Sequence, residues 1–310
     1  MRTSPTVTLL SGGGGGAKLA QGLARVVDDL TVVVNTGDDA VLYGLSVSPD
    51  LDTVMYTLAG LVDPRAGWGI DGDTHATLEA MARLGEDTWF SLGDRDLATH
   101  ILRTARLHAG APLSEVTAQL CAALGVRARL LPMTDDRVAT QVDVADGRLG
   151  FQEYFVGRRH RDEVLGVVLD GIELARPAPG VLAALTEADM VVIGPSNPFV
   201  SIGPILAVPG VREALAGTQA HRAAVSPIVG GQALKGPAAA MLAALGHEVS
   251  AVGVARLYAG LLDVLVIDEQ DRLLAPAVEA LGMSVVVTQT VLGGPEDRER
   301  LARELLDAAS

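Results

Sequence analysis

The sequence predicts an α/β protein: a doubly wound, mostly parallel, Rossmann-like sheet with a helical insertion. Three observations carry that expectation. Short apolar runs recur along the whole chain and end in Gly, Ser, Asn or Asp, as strands buried on both faces of a parallel sheet do. Stretches of helical periodicity separate these runs. The first junction between the two patterns holds five consecutive glycines, Gly12 to Gly16.

The opening βαβ unit comes first. Val7 to Leu10 is a strand, and Leu19, Leu23, Val26 and Val27 recur at helical spacing before a second strand at Leu30 to Val34. Glycines at such a turn leave N–H groups bare at a helix N-terminus, where partial positive charge favours phosphate. Gly12, Gly14 and Ala17 also satisfy the GxGxxA dinucleotide pattern, with Asp38 following at about the distance expected of a ribose-binding acid. A P-loop is excluded, because Ala17, Lys18 and Leu19 stand where Gly-Lys-Ser/Thr is required. After the second strand come Asn35, Thr36, Gly37, Asp38 and Asp39, then Ser48, Pro49, Asp50, Leu51 and Asp52. Four carboxylates thus crowd the carboxyl end of a strand beside a candidate phosphate loop. Carboxylates and phosphates tolerate each other when a cation lies between them, and Mg²⁺ is commonly held by one or two carboxylates plus phosphate oxygens. The alternative is that Asp50 caps the helix starting near Leu51 and that Asp39 is solvated.

From Leu51 to about residue 125 the pattern is mostly helical. Leu51, Val54, Leu58 and Leu61 form one apolar face, Leu78, Met81 and Leu84 another, and Leu97, Ile101 and Leu102 a third. LGDRDLATH, Leu92 to His100, opens a helix after Gly93 and gathers Asp94, Arg95, Asp96 and His100. Capping with surface pairing is one reading of it, and Arg95 as an anion ligand is the sharper one. Strands are expected near Arg127 to Pro132, at Val138 to Val144, around Phe151 to Val156 and at Val164 to Leu169. Arg158 to Arg161 is a basic loop. A second strand-to-loop ligand site follows Met190 to Ile193, where Gly194, Ser196, Asn197, Ser201 and Gly203 supply hydroxyls and bare N–H groups. Further strands are expected near Ala223 to Val225, Val264 to Ile267 and Val285 to Val287, with Lys235 between glycines either reaching phosphate or lying on the surface. No fixed-period repeat or linker divides the chain, so residues 1–310 are expected to form a single domain.

Composition narrows the function classes. At 310 residues, with 49% hydrophobic but only 3% aromatic content, the chain suits a large aliphatic core. The net charge is −14, from 24 Lys plus Arg against 38 Asp plus Glu. That argues against nucleic acid as a partner, although a loop and a metal can still handle a single nucleotide. Cys121 is the one cysteine, which leaves no disulfide framework. No apolar run is long enough to span a membrane, and Arg2 is followed by no signal-like segment. A cytoplasmic protein that engages no membrane is expected.

Nine motifs in order then carry a resemblance: SGGGGGAKLAQGL, VVNTGDD, SPDLDTVMYTL, WGIDGDTH, LGDRDLATH, LLPMTDD, IGPSNPFVSIGPIL, SPIVGG and LLDVLVID. Together they resemble the 2-phospho-L-lactate transferases of coenzyme F-420 biosynthesis. The resemblance implies an Mg²⁺-dependent homodimer that moves a phosphorylated three-carbon acid, lactyl or enolpyruvyl, from a guanosine diphosphate-linked donor to the deazaflavin Fo, releasing GMP. It implies Asp38 and Asp50 as metal ligands and catalytic groups, with Asp52 an alternative ligand, and Arg95 as a catalytic contact to the transferred group. Donor and acceptor binding would fall to Gly12, Gly13, Gly14, Gly15, Lys18, Asn35, Asp52, Asp94, Ser196, Asn197, Ser201 and Gly203. The chain departs from archaeal members in having Ser91 before LGDRD, where they carry a basic residue, and only glycine in the loop, where they carry a threonine. WGIDGDTH and the LATH continuation are closer to bacterial members. Two other readings are a nucleotide-sugar-binding regulatory protein of the related gluconeogenesis-factor family and, on GxGxxA alone, a nicotinamide-dependent oxidoreductase.

Overall fold

The computed structural model describes residues 4–308, so Arg2 lies outside the described residues. Seven strands build the central sheet: β1 (Thr6–Ser11), β2 (Asp29–Val34), β3 (Arg129–Pro132), β4 (Met190–Ile193), β5 (His221–Val225), β6 (Val264–Asp268) and β7 (Ser284–Thr288). Their spatial order is β3-β2-β1-β4-β5-β6-β7, with every neighbouring pair parallel. The direction of strand addition reverses between β1 and β4, and open α/β sheets bind ligands in the crevice at such a switch point. The expected doubly wound sheet is thus present.

Alternate residues of each strand enter opposite cores, which is why the strands read as continuous apolar runs. Leu9, Val32, Val34, Val192 and Val266 pack against helices α1 (Gly13–Val26), α2 (Pro49–Leu58) and α5 (Leu113–Ala123) and the C-terminal helix Pro295–Asp307. Leu10, Val33, Ile193, Leu265 and Ile267 pack on the other side against short helices such as Val181–Thr186, Ile202–Ala207 and Ala251–Leu257. Each such fully buried aliphatic side chain contributes about 1.5–3 kcal/mol from surface removed from water.

The insertion between β2 and β3 contains a small hairpin (Ala40–Leu42 with Leu45–Val47), α2, α3 (Ala76–Arg83), α4 (Asp94–His108) and α5. Two of its expected inward faces differ. Leu84 is 88% exposed, and Ile101 and Leu102 are 53% and 47% exposed, because α4 turns Asp96, His100 and Arg103 inward instead. These three are spaced i, i+4, i+7 and so share one helix face. Charge pairing on that face outweighs burial of the two aliphatics.

A separate antiparallel sheet, Ala139–Val144 between Gly147–Gly150 and Gly166–Asp170, touches the loop after β2, where Thr140 N–H donates to the Gly37 carbonyl at 2.6 Å. The segment 151–156 expected to extend from it is instead a wide helical turn. Helical spacing stacks the Phe151 and Phe155 rings 5.5 Å apart and nearly parallel, while Tyr154 enters the small core beneath. A run this short carries no periodicity that separates strand from helix.

Candidate active site

The glycine junction is less a loop than a helix start: Gly12 is the N-cap and Gly13 already belongs to α1. The N-cap glycine has no side chain to cap α1, and the first turn of the helix holds no acid of its own. Glycine is required here by close approach as well as by the turn. A Cβ on Gly15 would lie 2.4 Å from the Pro195 carbonyl oxygen, and one on Gly16 would lie 2.1 Å from Ser11 Oγ. The loop after β4 is therefore pressed onto the start of α1. Ser196 locks the two together, accepting from Gly12 N–H at 3.2 Å and donating to Gly12 O at 2.7 Å.

Two acids meet at this helix start. Gly13 N–H donates to Asp50 Oδ1 at 2.6 Å, so Asp50 serves the N-terminus of α1 and not of its own helix. Buried Asn35 donates from Nδ2 to Asp50 Oδ2 at 2.9 Å and to Asp38 Oδ1 at 3.1 Å, and Gln152 Nε2 donates to Asp38 Oδ2 at 3.1 Å. All these partners are neutral. Burial, then the neighbouring Asp50 and Asp39 charges, push the Asp38 carboxyl well above its ordinary range. Burial pushes Asp50 up to about 6 against the hydrogen bonds from Asn35 and Gly13. Two carboxylates drawn together without a countercharge have the chemistry of a hard-cation site. No cluster of three or more His, Cys, Asp or Glu side chains converges on a metal position among the described residues, so any hexacoordinate ion here must take most of its oxygens from ligand and water.

The second part of the lining is built from later turns of α2, which packs on α1, and from α4. Arg103 is 1% exposed and grips Asp52 with both guanidinium nitrogens, Nη1 at 3.0 Å from Oδ2 and Nη2 on Oδ1. The same Nη1 lies 3.3 Å from His100 Nδ1. A guanidinium only donates, so Nδ1 must accept and the imidazole proton sits on Nε2. Nε2 faces Asp96 Oδ1 at 3.2 Å. Tyr56 donates its hydroxyl to that same oxygen at 2.7 Å, and burial keeps the phenol protonated. Asp39 is not simply solvated, since Ser48 Oγ donates to it at 2.7 Å.

The two parts form the walls of a cleft of about 680 Å³. Gly12, Gly13, Gly14, Gly15, Lys18, Asp38, Asp50, Asp52, Ser196, Asn197 and Ser201 all line it, and Asn35 supports Asp38 and Asp50 from below. The loops after β1 and β4 thus meet in direct contact and line one cleft together. Besides Asn35, three expected residues do not line the cleft. Gly203 packs in the helix Ile202–Ala207, where a Cβ would meet the Pro198 carbonyl at 2.9 Å. Asp94 accepts from the Thr74 hydroxyl and from the N–H groups of Ala76 and Thr77 at the start of α3, and these bonds hold its carboxyl well below the usual range. Arg95 donates to the Asp71 carbonyl at 2.6 Å and faces Asp73, with 55% of its side chain exposed.

With this geometry in hand, the family model described as 2-phospho-L-lactate transferase CofD matches residues 7–290. The chain belongs to this family. It is 47% identical to a phosphoenolpyruvate transferase of Streptomyces griseus, over 98% of both chains. It is 42% identical to a 2-phospho-L-lactate transferase of Methanosarcina mazei, over 97% of this chain and 99% of that one. Its fold is shared with a UPF0052-family protein of Bacillus halodurans, at 17% identity and a TM-score of 0.64, over 98% and 99% of the two chains. Family membership makes the protein a CofD-type transferase and selects that reading over the oxidoreductase and the regulatory binding protein.

The CofD-type cleft also contains residues that motif reading passes over. Tyr56 lines the cleft with Arg103 buried behind Asp52 and His100, Gln152 holds Asp38, and Trp68, Trp89 and Phe155 give the cleft planar apolar surfaces. A signal for Arg103 existed: charged residues at 96, 100 and 103 occupy one face of a helix next to Asp52 and Tyr56, themselves spaced i, i+4. Lys235 lines the cleft rim with its Nζ on the Ala66 carbonyl at 3.1 Å.

Proposed function

We propose that the protein transfers a phosphorylated three-carbon acid, 2-phospho-L-lactate or enolpyruvyl phosphate, from a guanosine diphosphate-linked donor to the terminal ribityl hydroxyl of the deazaflavin Fo, releasing GMP. The observation that carries the reading is the make-up of one cleft. It is lined both by a helix N-terminus with two uncompensated acids and by the planar apolar rings of Trp68, Trp89 and Phe155. The donor diphosphate fits the helix N-terminus, where N–H groups of the α1 start, Ser196, Asn197 and Ser201 orient it and Lys18 adds positive charge. Asp38 and Asp50 are the residues that would hold Mg²⁺, which supplies neutralisation of the diphosphate charge when bound. The flat ring system of Fo fits the apolar rings. A covalent enzyme intermediate is not needed, and the Cys121 thiol, pushed up to about 12 by burial, is no nucleophile. The protein is assigned to the cytoplasm and to a homodimer, the latter checked by light scattering.

Incubation with Mg²⁺, Fo and each donor in turn, followed by mass spectrometry, tests the assignment. The expected products are a deazaflavin heavier by the phospho-acid and an equal amount of GMP. The donor that reacts names the substrate. Folded protein that yields neither product from intact donors overturns it.

A further inference from the structure

The transferase reading leaves open which group accepts the proton of the attacking hydroxyl. Resting on that reading, we propose that Asp96 takes this proton, with Tyr56 and His100 as positioning residues for its carboxylate and Arg103 as the positioning residue for His100.

The argument begins with the acids that are already committed. Asp38 and Asp50 share Asn35 and take the Gly13 N–H and Gln152. Asp52 is gripped by both nitrogens of Arg103, and Asp39 accepts from Ser48. Asp96 differs from the first three in having one oxygen unengaged, and from Asp39, whose Oδ1 is also unpartnered, in lining the cleft. It is 7% exposed and lines the cleft, and only Oδ1 is engaged, by Tyr56 and the facing His100. Oδ2 accepts no hydrogen bond among the described residues. Oδ2 is unpartnered but not buried, so it opens onto the cleft while Oδ1 is held by the protein. That arrangement is what a base directed at a substrate hydroxyl requires.

Placement agrees. Asp96 lines the same cleft as Tyr56, Trp89, Phe90 and Leu92 and as the glycine start of α1, so an acceptor lying on those apolar residues comes within the cleft that Asp96 lines. The order of donors along the wall is also one-directional. Arg103 can only donate to His100 Nδ1, which puts the remaining imidazole proton on the nitrogen facing Asp96. Tyr56 donates to Oδ1 at 2.7 Å while His100 Nε2 lies 3.2 Å from it without a hydrogen bond, so Oδ1 is held from two sides.

In the step itself, the acceptor O–H bond breaks as its oxygen bonds to the phosphorus that carries the three-carbon acid. The bond from that phosphorus to the bridging oxygen breaks, and its electron pair leaves on GMP. The proton passes to Asp96 Oδ2 and from there to water.

The test uses the full chain with Mg²⁺, Fo and whichever donor the wild-type protein turns over. Asp96→Asn should lower kcat by about 10²- to 10⁴-fold while the affinity for Fo, read from deazaflavin fluorescence, stays within about threefold. Asp96→Ala should regain turnover when formate is added as an external base, which a purely structural role would not show. His100→Gln should lower kcat by roughly tenfold with little change in KM, as for a group acting through another. A kcat for Asp96→Asn within about threefold of wild type, or a loss confined to KM, overturns the proposal and leaves the transferase reading standing. If Asp96→Asn does not fold, Asp96→Glu decides in the same assay. It keeps the charge but moves the oxygen, so unchanged kcat overturns the proposal and reduced kcat with retained Fo affinity supports it. A wild-type protein that transfers nothing to Fo overturns the reading and the proposal together.

Discussion

The two walls of the cleft hold buried carboxylates in opposite ways. On the glycine side, Asp38 and Asp50 sit close together with only amides and a backbone N–H for company, and both are driven toward protonation. On the helical side, Asp52 lies as deep but has its countercharge built in, since Arg103 spans both of its oxygens. A charge buried without a partner is expensive, whereas a buried ion pair with good geometry offsets most of its desolvation. The first wall is therefore incomplete without a ligand cation, and the second is complete as folded. Stability and activity should consequently respond to mutation in opposite patterns on the two sides.

The largest effect is expected on the incomplete side. Asp38→Asn should reduce Mg²⁺-dependent turnover by on the order of 10³-fold, because charge neutralisation is most of what the protein contributes to a loose phosphoryl-transfer transition state. The same change removes an uncompensated buried charge, so the melting temperature should hold or rise. Steady-state kinetics beside a thermal melt checks both halves. Near-normal turnover would remove Asp38 from the cation site.

On the complete side the pattern reverses. Arg103→Met strands Asp52 and should destabilise the fold by about 3–5 kcal/mol, whereas adding Asp52→Leu should recover most of the loss. Chemical denaturation of the single and double variants forms the cycle. A single variant as stable as wild type would mean that Asp52 is not dependent on Arg103, and the contrast between the walls would collapse.

The sequence made the incomplete side visible and hid the complete one, for a physical reason. Phosphate-binding turns and the acids beside them depend on local backbone geometry, so Gly12 to Gly16, Asp38, Asp50 and Ser196 fall in short motifs at strand ends. All of them line the cleft or approach its floor. The second wall depends on which way α4 is rotated. Leu97, Ile101 and Leu102 offered one apolar face, and Asp96, His100 and Arg103 the true interior one, and the choice rests on Asp52 and Tyr56 some forty to fifty residues earlier. Asp94 and Arg95 were equally ambiguous. Local charge density at a helix start suits a site or a cap, and only tertiary placement shows Asp94 serving α3.

A smaller effect should follow pH and metal. Folding raises the pKa of Asp50 to about 6 from an unfolded value near 3.8. The folded state thus holds a proton that the unfolded chain loses earlier, and the associated stability, full below about pH 4, is lost as pH climbs through about 6. Asp38 and Asp39 shift in the same direction. Mg²⁺ competes with those protons, so it should raise the melting temperature by a few degrees near pH 7.5 and by much less near pH 5. Equal stabilisation at both values would place the cation elsewhere.

The smallest effect is expected at Arg95, and it tests where the cleft ends. Its side chain is 55% exposed, its Nη2 is satisfied by the Asp71 carbonyl, and its ion pair with Asp73 is 3.6 Å long. Surface pairs of this kind contribute about 0–1 kcal/mol. Asp73 would lose little from Arg95→Ala, because its carboxylate still accepts from the backbone N–H groups of residues 95 and 96 at the start of α4. The expected outcome is a melting temperature within a degree or two of wild type and kcat/KM within about twofold, since no interaction with the reacting groups is removed. A drop of tenfold or more in kcat at unchanged stability would instead show that segment 63–73 carries Arg95 to the transferred anion once both substrates are bound. The glycine side would then have acquired its missing positive charge from the insertion, and the division between an incomplete wall and a complete one would hold only for the unliganded protein.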